Sequence, residues 1–235
     1  MRIGIIGAMK EELLPLSAKL SSVKRSIIGS IDFTQGILSG QQVTLMLSGI
    51  GKVNAAVGTA LLLHRFNPDY VINTGVAGGL VQSLKPGDIV VSTQVQHHDV
   101  DATIFDYVYG QIPRMPASYK ADSRLVNLVG KELLHDQSVK LIKGIIMSGD
   151  SFVHANEQVE DLKKKFPSVM AVEMEGAAIA QSCFLFKRPF LVIRSISDIV
   201  TAPESHIDYQ TFLKKASLNS ATLVLNLLKK IKSLE

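Results

Sequence analysis

Short apolar runs rich in β-branched residues alternate along this chain with stretches of helical period, and that alternation restricts the fold more than any other feature of the sequence. The first run, Ile3-Gly4-Ile5-Ile6-Gly7, has the look of a buried strand bounded by glycine. Further strands are predicted over 33–38, 42–48, 70–74, 89–96, 140–147, 171–173 and 190–195. The first two of these form a hairpin with Ser39-Gly40 at the turn. Helices are predicted over 53–66, 122–134, 157–165, 175–186 and 209–231, with Asp122 as an N-cap and Asn67-Pro68 ending the first. Strand and helix in turn predict one α/β domain over 1–235, a three-layer α/β/α arrangement around a central mixed, mainly parallel twisted sheet.

Ligands of such sheets bind beyond the carboxyl ends of the strands. That directs attention to Ala8 and Glu12, to Gly49 and Gly51, to the glycine run Gly75-Val76-Ala77-Gly78-Gly79, to Gly149-Asp150-Ser151, and to Glu173, Glu175 and Asp198. Glycines and carboxylates concentrate there. Carboxylates gathered at one sheet edge repel one another, and that repulsion separates their pKa values into an acid and a base.

Several motifs fall short of a named chemistry. Gly49-Ile50-Gly51-Lys52 lacks both the early glycine and the Ser or Thr of a phosphate-binding loop, since Met46 and Val53 stand there. Asn54 breaks a dinucleotide fingerprint in the same place, which leaves a tight strand-to-helix turn. Gly149-Asp150-Ser151 lacks the second glycine of a nucleophile elbow, its place being held by Val153. His97, His98, Asp99 and Asp101 crowd metal-ligand types together, but only Glu204 and His206 offer remote additions, so no metal and no cofactor is expected.

Charge and cysteine content narrow the partners. Twenty-five Lys and Arg against 21 Asp and Glu give a net charge of +4, dispersed in runs such as Lys163-Lys164-Lys165 instead of a stripe with aromatic residues, so nucleic acid is not expected as a partner. No run approaches the roughly 18 apolar residues that span a bilayer. Lys10-Glu11-Glu12 cuts the first apolar run short of a signal peptide or an anchor. One cysteine, Cys183, excludes an internal disulfide and suits a reducing, cytoplasmic setting.

Six segments together resemble the bacterial 5′-methylthioadenosine/S-adenosylhomocysteine nucleosidases of the purine nucleoside phosphorylase superfamily. They are Gly4-Ile5-Ile6-Gly7-Ala8-Met9 with Glu11-Glu12, Ser48-Gly49-Ile50-Gly51-Lys52-Val53-Asn54, Asn73-Thr74-Gly75-Val76-Ala77-Gly78-Gly79, Ser148-Gly149-Asp150-Ser151-Phe152, Val172-Glu173-Met174-Glu175 and Arg194-Ser195-Ile196-Ser197-Asp198. They occur in order over nearly the whole chain. The resemblance implies a nucleoside phosphorylase-like fold, a homodimer, and hydrolysis of the bond between adenine and a 5′-thio-substituted ribose.

By the same resemblance Asp198 is the general acid at adenine N7, Glu12 activates the water, Glu175 grips the ribose hydroxyls and Arg194 fixes the water and Glu12. Phe152 stacks on adenine, the backbone of Val153 reads its edge, and Gly78, Ser197 and Met174 touch the substrate, with Glu173 a lesser candidate for the sugar. The thioether pocket is expected from Met9, Ile50 and Tyr209, completed by Phe105 and Pro113 of the partner subunit. If the strand continues past Glu173, that residue and Glu175 share a face. Val76 in place of a common serine removes one polar contact near the water, and this change with Lys10 in place of an acid, Gly176-Ala177 in place of Ala-Thr, Tyr209 in place of phenylalanine and a slightly lengthened Thr201 to Glu204 bears on which 5′ group is preferred. Rival readings are a phosphorylase of the same superfamily, a non-catalytic nucleoside-binding protein, and a metal hydrolase built on His97 and His98. Glu12 over the water position disfavours phosphate attack.

Overall fold

The computed structural model describes residues 1–200 and 205–232, with residues 205–210 described by their backbone alone. Strand β1 (Arg2–Gly7) matches the expected range and is buried past Arg2. Its side chains alternate between two cores, as strand geometry requires. Ile3 and Ile5 pack with helices α1 (Lys10–Ser17) and α6 (Ser205–Ile231), while Ile6 joins the core of α2 (Lys52–Phe66) and α5 (Gly176–Leu185). Helices on both faces of a sheet make the three layers predicted. No helix among the described residues is long and apolar enough to cross a membrane.

The hairpin of β3 (Ile31–Leu38) and β4 (Gln41–Leu47) turns at Ser39 and Gly40, where φ is 51° and 78°. Positive φ at both central residues is the turn whose twist suits paired strands. A strand not expected from sequence, β2 (Ser21–Ile28), flanks β3 at the sheet's edge; its SSVKRSII stretch is mostly exposed and carries no apolar alternation. Helix α1 was likewise not expected: it is two turns long and carries Pro15 in its interior.

Strands β5 (Tyr70–Gly79), β6 (Ile89–His97), β8 (Leu141–Ser148), β9 (Val169–Glu173) and β10 (Phe190–Ile199) pair in a closed ring, because β10 bonds both β5 and β6 while β9 bonds both β8 and β5. From β5 the sheet opens outward through β1, β4, β3 and β2, and the short β7 (Tyr119–Lys120) attaches to β6. The sheet is mixed as expected: among the described strands five pairings are parallel and five antiparallel, and the parallel ladders are on the whole the longer ones.

Three local expectations need correction. The helix expected over 122–134 is α3 (Ser123–Leu128), capped by Asp122, whose carboxylate accepts the N–H groups of Arg124 (3.0 Å) and Leu125 (3.2 Å). The backbone then turns extended at Val129, Gly130 follows, and only a 3₁₀ turn remains at Lys131–Leu133. The glycine run 75–79 lies inside β5 and not after it, and 194–198 lies inside β10. Gly75 sits mid-strand for a reason of space: a Cβ there would collide with the Glu12 carboxylate. The last helices, α4 (Asn156–Lys165), α5 and α6, lie close to their expected ranges.

Candidate active site

The first turn of α1 holds the first acidic group. Glu12 is the third helical residue, and its side chain folds back so that Oε2 accepts the N–H groups of Ala8 (2.7 Å) and Met9 (3.0 Å). Oε1 accepts Val76 N–H from β5 at 3.1 Å. Only 4% of Glu12 is exposed. Burial raises its pKa above the ordinary 4.5, against the opposing pull of Arg194 and of those three N–H groups. The result is a fixed carboxylate more basic than one in water.

At the end of β9 the chain breaks step, so the expected shared face of Glu173 and Glu175 does not arise. The strand stops at Glu173, and Glu175 becomes the residue preceding α5, with φ −131° and ψ −39°. The two glutamates therefore meet different surroundings. Glu173 is gripped by Arg194, by Ser148 Oγ, and by the N–H groups of Glu175 (3.1 Å) and Gly176 (2.9 Å). Burial alone would lift its pKa, but Arg194 and these donors hold it below the ordinary value. Glu175 accepts Gly51 N–H at 2.9 Å and lies 3.9 Å from Arg194. Burial first, and the neighbouring Glu173 charge second, push its pKa up to about 8. Glu175 is thereby biased toward its protonated form, in which its carboxyl can accept one hydrogen bond and donate another.

Arg194 is 1% exposed and also donates to Asn73 Oδ1 (2.5 Å) and to the Ile193 carbonyl (3.2 Å). It makes no hydrogen bond to Glu12 and acts on it through charge. Asn73 in turn donates to the Ile6 carbonyl at 3.0 Å, which ties this buried network to β1.

A bulge in β10 sets the remaining acid. The register with β5 runs Ile196 to Ala77 and then Asp198 to Gly78, leaving Ser197 as the extra residue. Neighbours in a regular strand point to opposite faces, yet Ser197 and Asp198 both line the same cleft, which is what an extra residue permits. Ser197 Oγ donates to Asp198 Oδ1 at 2.7 Å, and Asp198 is 1% exposed.

These groups surround one concave cleft whose lining is mostly apolar with a few convergent polar groups, as small-molecule sites are built. Glu12, Glu173, Glu175 and Asp198 line it together with Met9, Ile50, Gly78, Phe152, Val153, Met174 and Ser197. Arg194 lies beneath, paired to Glu173, and does not line the cleft. Phe105 and Pro113 are exposed and do not reach the cleft of their own chain. The Tyr209 side chain falls outside the described residues, as do Glu204 and the His206 side chain. Asp99 is engaged by Lys52 and by the backbone of Asp150, His97 Nε2 contacts Gln181 Oε1, and Asp101 accepts from Thr103, so these three residues are turned to separate partners. Among the described residues no group of three or more His, Cys, Asp or Glu is arranged to hold a metal ion.

Sequence reasoning pointed to Ala8, Ala77 and Ser151 only as parts of segments after strands, and gave no role to Val172, which also lines the cleft, nor to Asn73 and Ser148, which bind the network beneath it. Ser148 ends β8 and Asn73 lies within β5, and the available signal for each was its place in one of the six segments that carry the resemblance. Val76 contributes its N–H to Glu12 whatever its side chain, so a valine in place of serine leaves that bond intact.

A family model described as the phosphorylase superfamily matches residues 2–229. A 5′-methylthioadenosine/S-adenosylhomocysteine nucleosidase of Bacillus velezensis is 50% identical over 231 residues, 98% of this chain and 100% of that protein. The nucleosidase of the same description from Neisseria meningitidis, solved with methylthio-immucillin-A, superposes with a TM-score of 0.94 at 43% identity, covering 97% of this chain and 99% of the other. Its counterpart from Colwellia psychrerythraea, solved with adenine, gives a TM-score of 0.93 at 47% identity over 97% and 94% of the two chains.

Proposed function

The chain belongs to the family of 5′-methylthioadenosine/S-adenosylhomocysteine nucleosidases within the phosphorylase superfamily, and we propose from that premise how its own residues divide the hydrolysis of those nucleosides to adenine. The reaction breaks the bond between ribose C1′ and purine N9 and joins a water oxygen to C1′; one proton must reach the leaving purine and one must leave the water, the other staying on the new hydroxyl. Adenine leaves poorly as an anion, and the ribosyl carbon gathers positive charge as it departs. Asp198 donates a proton to N7, Glu12 takes one from the water, and Glu175 holds the ribose hydroxyls. Arg194 acts from below, holding Glu173 and biasing Glu12 toward its charged form. Phe152 stacks on the base, main-chain groups of Val153 and Gly78 read its edge, and Ser197 orients Asp198. Met174 lies under the sugar, while Met9, Ile50 and Tyr209 receive the 5′-thio group. No cofactor enters this scheme.

The observation that carries the reading is that Glu12 and Asp198, 186 residues apart in sequence, line one cleft while each is almost wholly buried. Burial excludes bulk water from both groups, so a proton given or taken there passes to or from the bound nucleoside and its water instead of to solvent. The raised pKa of Glu12 suits a base at neutral pH. We further propose one nucleoside-hydrolysing domain over the whole chain, a homodimer in which Phe105 and Pro113 of one subunit close the cleft of the other, and a place in the cytoplasm. Exposed Val53, Ile104, Phe105 and Leu185 support the dimer, and the single thiol of Cys183 supports the compartment.

Adenine release from 5′-methylthioadenosine tests the reading. The rate is expected to be the same with and without inorganic phosphate, yielding free 5-methylthioribose. An absolute need for phosphate would make the protein a phosphorylase, and unchanged substrate after prolonged incubation would leave only a binding protein.

A further inference from the structure

Three loops leave the carboxyl ends of β4, β6 and β8, and two of them form walls of the cleft. The turn after β4 brings Ile50 to the cleft and donates Gly51 N–H to Glu175. The loop after β8 carries Ser151, Phe152 and Val153. The loop after β6 carries Asp99, which does not line the cleft at all.

Asp99 nevertheless joins the other two. Its Oδ1 accepts Lys52 Nζ at 2.7 Å, and its Oδ2 accepts Asp150 N–H at 2.9 Å. Asp150 Oδ1 closes the circle by accepting Lys52 N–H at 2.7 Å. Gly51, at φ 96°, stands beside this bond, and a Cβ there would lie 3.2 Å from Asp150 Oδ1, so the close approach relies on glycine. His98 N–H donates to the Ser148 carbonyl at 2.9 Å, which fixes where the Asp99 loop starts. Side chains of Lys52 and Asp99 are 19% and 27% exposed, so the pair is only partly screened by solvent. Burial acts to raise the Asp99 pKa, and Lys52 with the Asp150 N–H holds it below the ordinary range instead, so the acceptor stays charged at neutral pH.

We propose that Asp99, Lys52 and Asp150 form a clasp that holds the Phe152–Val153 wall in register with Glu175, and that Asp99 is a positioning residue for nucleoside binding. The inference rests on the proposed reading of the cleft, with the base at Phe152 and Val153 and the ribose at Glu175. A ligand touching one wall does not sense their alignment, whereas a ligand touching both does. Misplacement of about 1 Å between two binding elements is enough to cost one to two orders of magnitude.

The test compares Asp99→Ala with the unaltered protein on two ligands. The KM for 5′-methylthioadenosine should rise about 10-fold or more with a smaller change in kcat, while the inhibition constant of free adenine stays within about 2-fold. Asp99→Asn keeps one acceptor and should fall between the two. Lys52→Met, which leaves the Lys52 N–H in place, should repeat the KM effect and supplies the readout should Asp99→Ala fail to fold. An unchanged KM in both Asp99→Ala and Lys52→Met overturns the clasp, and so does adenine inhibition that weakens in step with KM. Failure of the unaltered protein to release adenine from 5′-methylthioadenosine refutes the nucleosidase reading instead.

Discussion

At the floor of the cleft Glu12, Glu173, Glu175 and Asp198, with Arg194 directly beneath them, are each less than a tenth exposed, whereas at its rim Ile50 and Phe152 stand 51% and 46% exposed. The floor is held by bonds that leave little choice of rotamer: backbone N–H groups fix Glu12, Glu173 and Glu175, Asn73 and Glu173 fix Arg194, and Ser197 fixes Asp198. The rim is apolar and half-wet, and its Phe152–Val153 wall follows Asp150, whose N–H is held by Asp99 in the clasp proposed above. The contrast follows from what each region does in the proposed reaction. Charge stabilisation demands groups aimed before the substrate arrives, since any reorganisation would subtract from the gain. Apolar contact tolerates slack, so a rim can be completed by ligand or partner.

If the floor carries the chemistry, substitutions there should cost turnover and leave binding largely intact. Asp198→Asn keeps the shape of the side chain without its acidic proton, and Glu12→Gln keeps two polar atoms without a base. Each should lower kcat for 5′-methylthioadenosine by about 10² to 10⁴-fold, the usual worth of a positioned acid or base, while equilibrium dialysis still detects bound nucleoside. Undiminished kcat in either variant would move that role to another residue. In the unaltered protein the pH profile adds a sign. Glu12 works deprotonated and its pKa is raised, so the acid limb of kcat/KM should lie above 4.5, and a limb at or below that value would count against Glu12 as the base.

Arg194 tests whether the floor is also the floor of stability. Replacing it with methionine leaves Glu173 as an uncompensated buried charge, a loss of about 3–5 kcal/mol. Denaturant titration should register that loss in Arg194→Met and a much smaller one in the double variant Glu173→Gln/Arg194→Met, where no charge is stranded. Equal losses in the two would show that packing of the long side chain matters more than charge. Because Arg194 lowers the Glu12 pKa, removing it should also carry the acid limb further up.

The same division separates what sequence could and could not reveal. The apolar alternation predicted β1, the Ser39-Gly40 turn and the three-layer arrangement, since each follows from local pattern. It did not predict β2, whose residues are exposed but for Ser26 and Ile28 and which is held chiefly by pairing with its neighbouring strand. Nor did it place the glycine run inside β5, because the reason for Gly75 is a carboxylate 63 residues earlier in the chain. At the floor, carboxylates after strand ends drew attention, but the different pKa directions of Glu173 and Glu175 depend on where β9 stops. The β10 bulge that turns Ser197 and Asp198 to one cleft is likewise a matter of register. Roles for Phe152 and Val153 came from resemblance alone, as an aromatic residue and a valine carry no pattern of their own.

Phe105 offers the smallest expected effect and the sharpest test of the rim. It is 71% exposed, and it does not reach the cleft of its own chain, so within a lone subunit Phe105→Ala should change nothing. In the proposed homodimer it should raise KM for 5′-methylthioadenosine about 3- to 10-fold through loss of apolar contact worth about 1 kcal/mol, with kcat nearly unaltered. Co-expressing Phe105→Ala with Asp198→Asn distinguishes the two cases. A mixed dimer pairs the intact acid of one chain with the intact Phe105 of the other, so a fraction of sites should regain the unaltered KM. Loss of affinity without such recovery would assign the Phe105 effect to its own chain, and no loss at all would remove Phe105 from the neighbouring cleft.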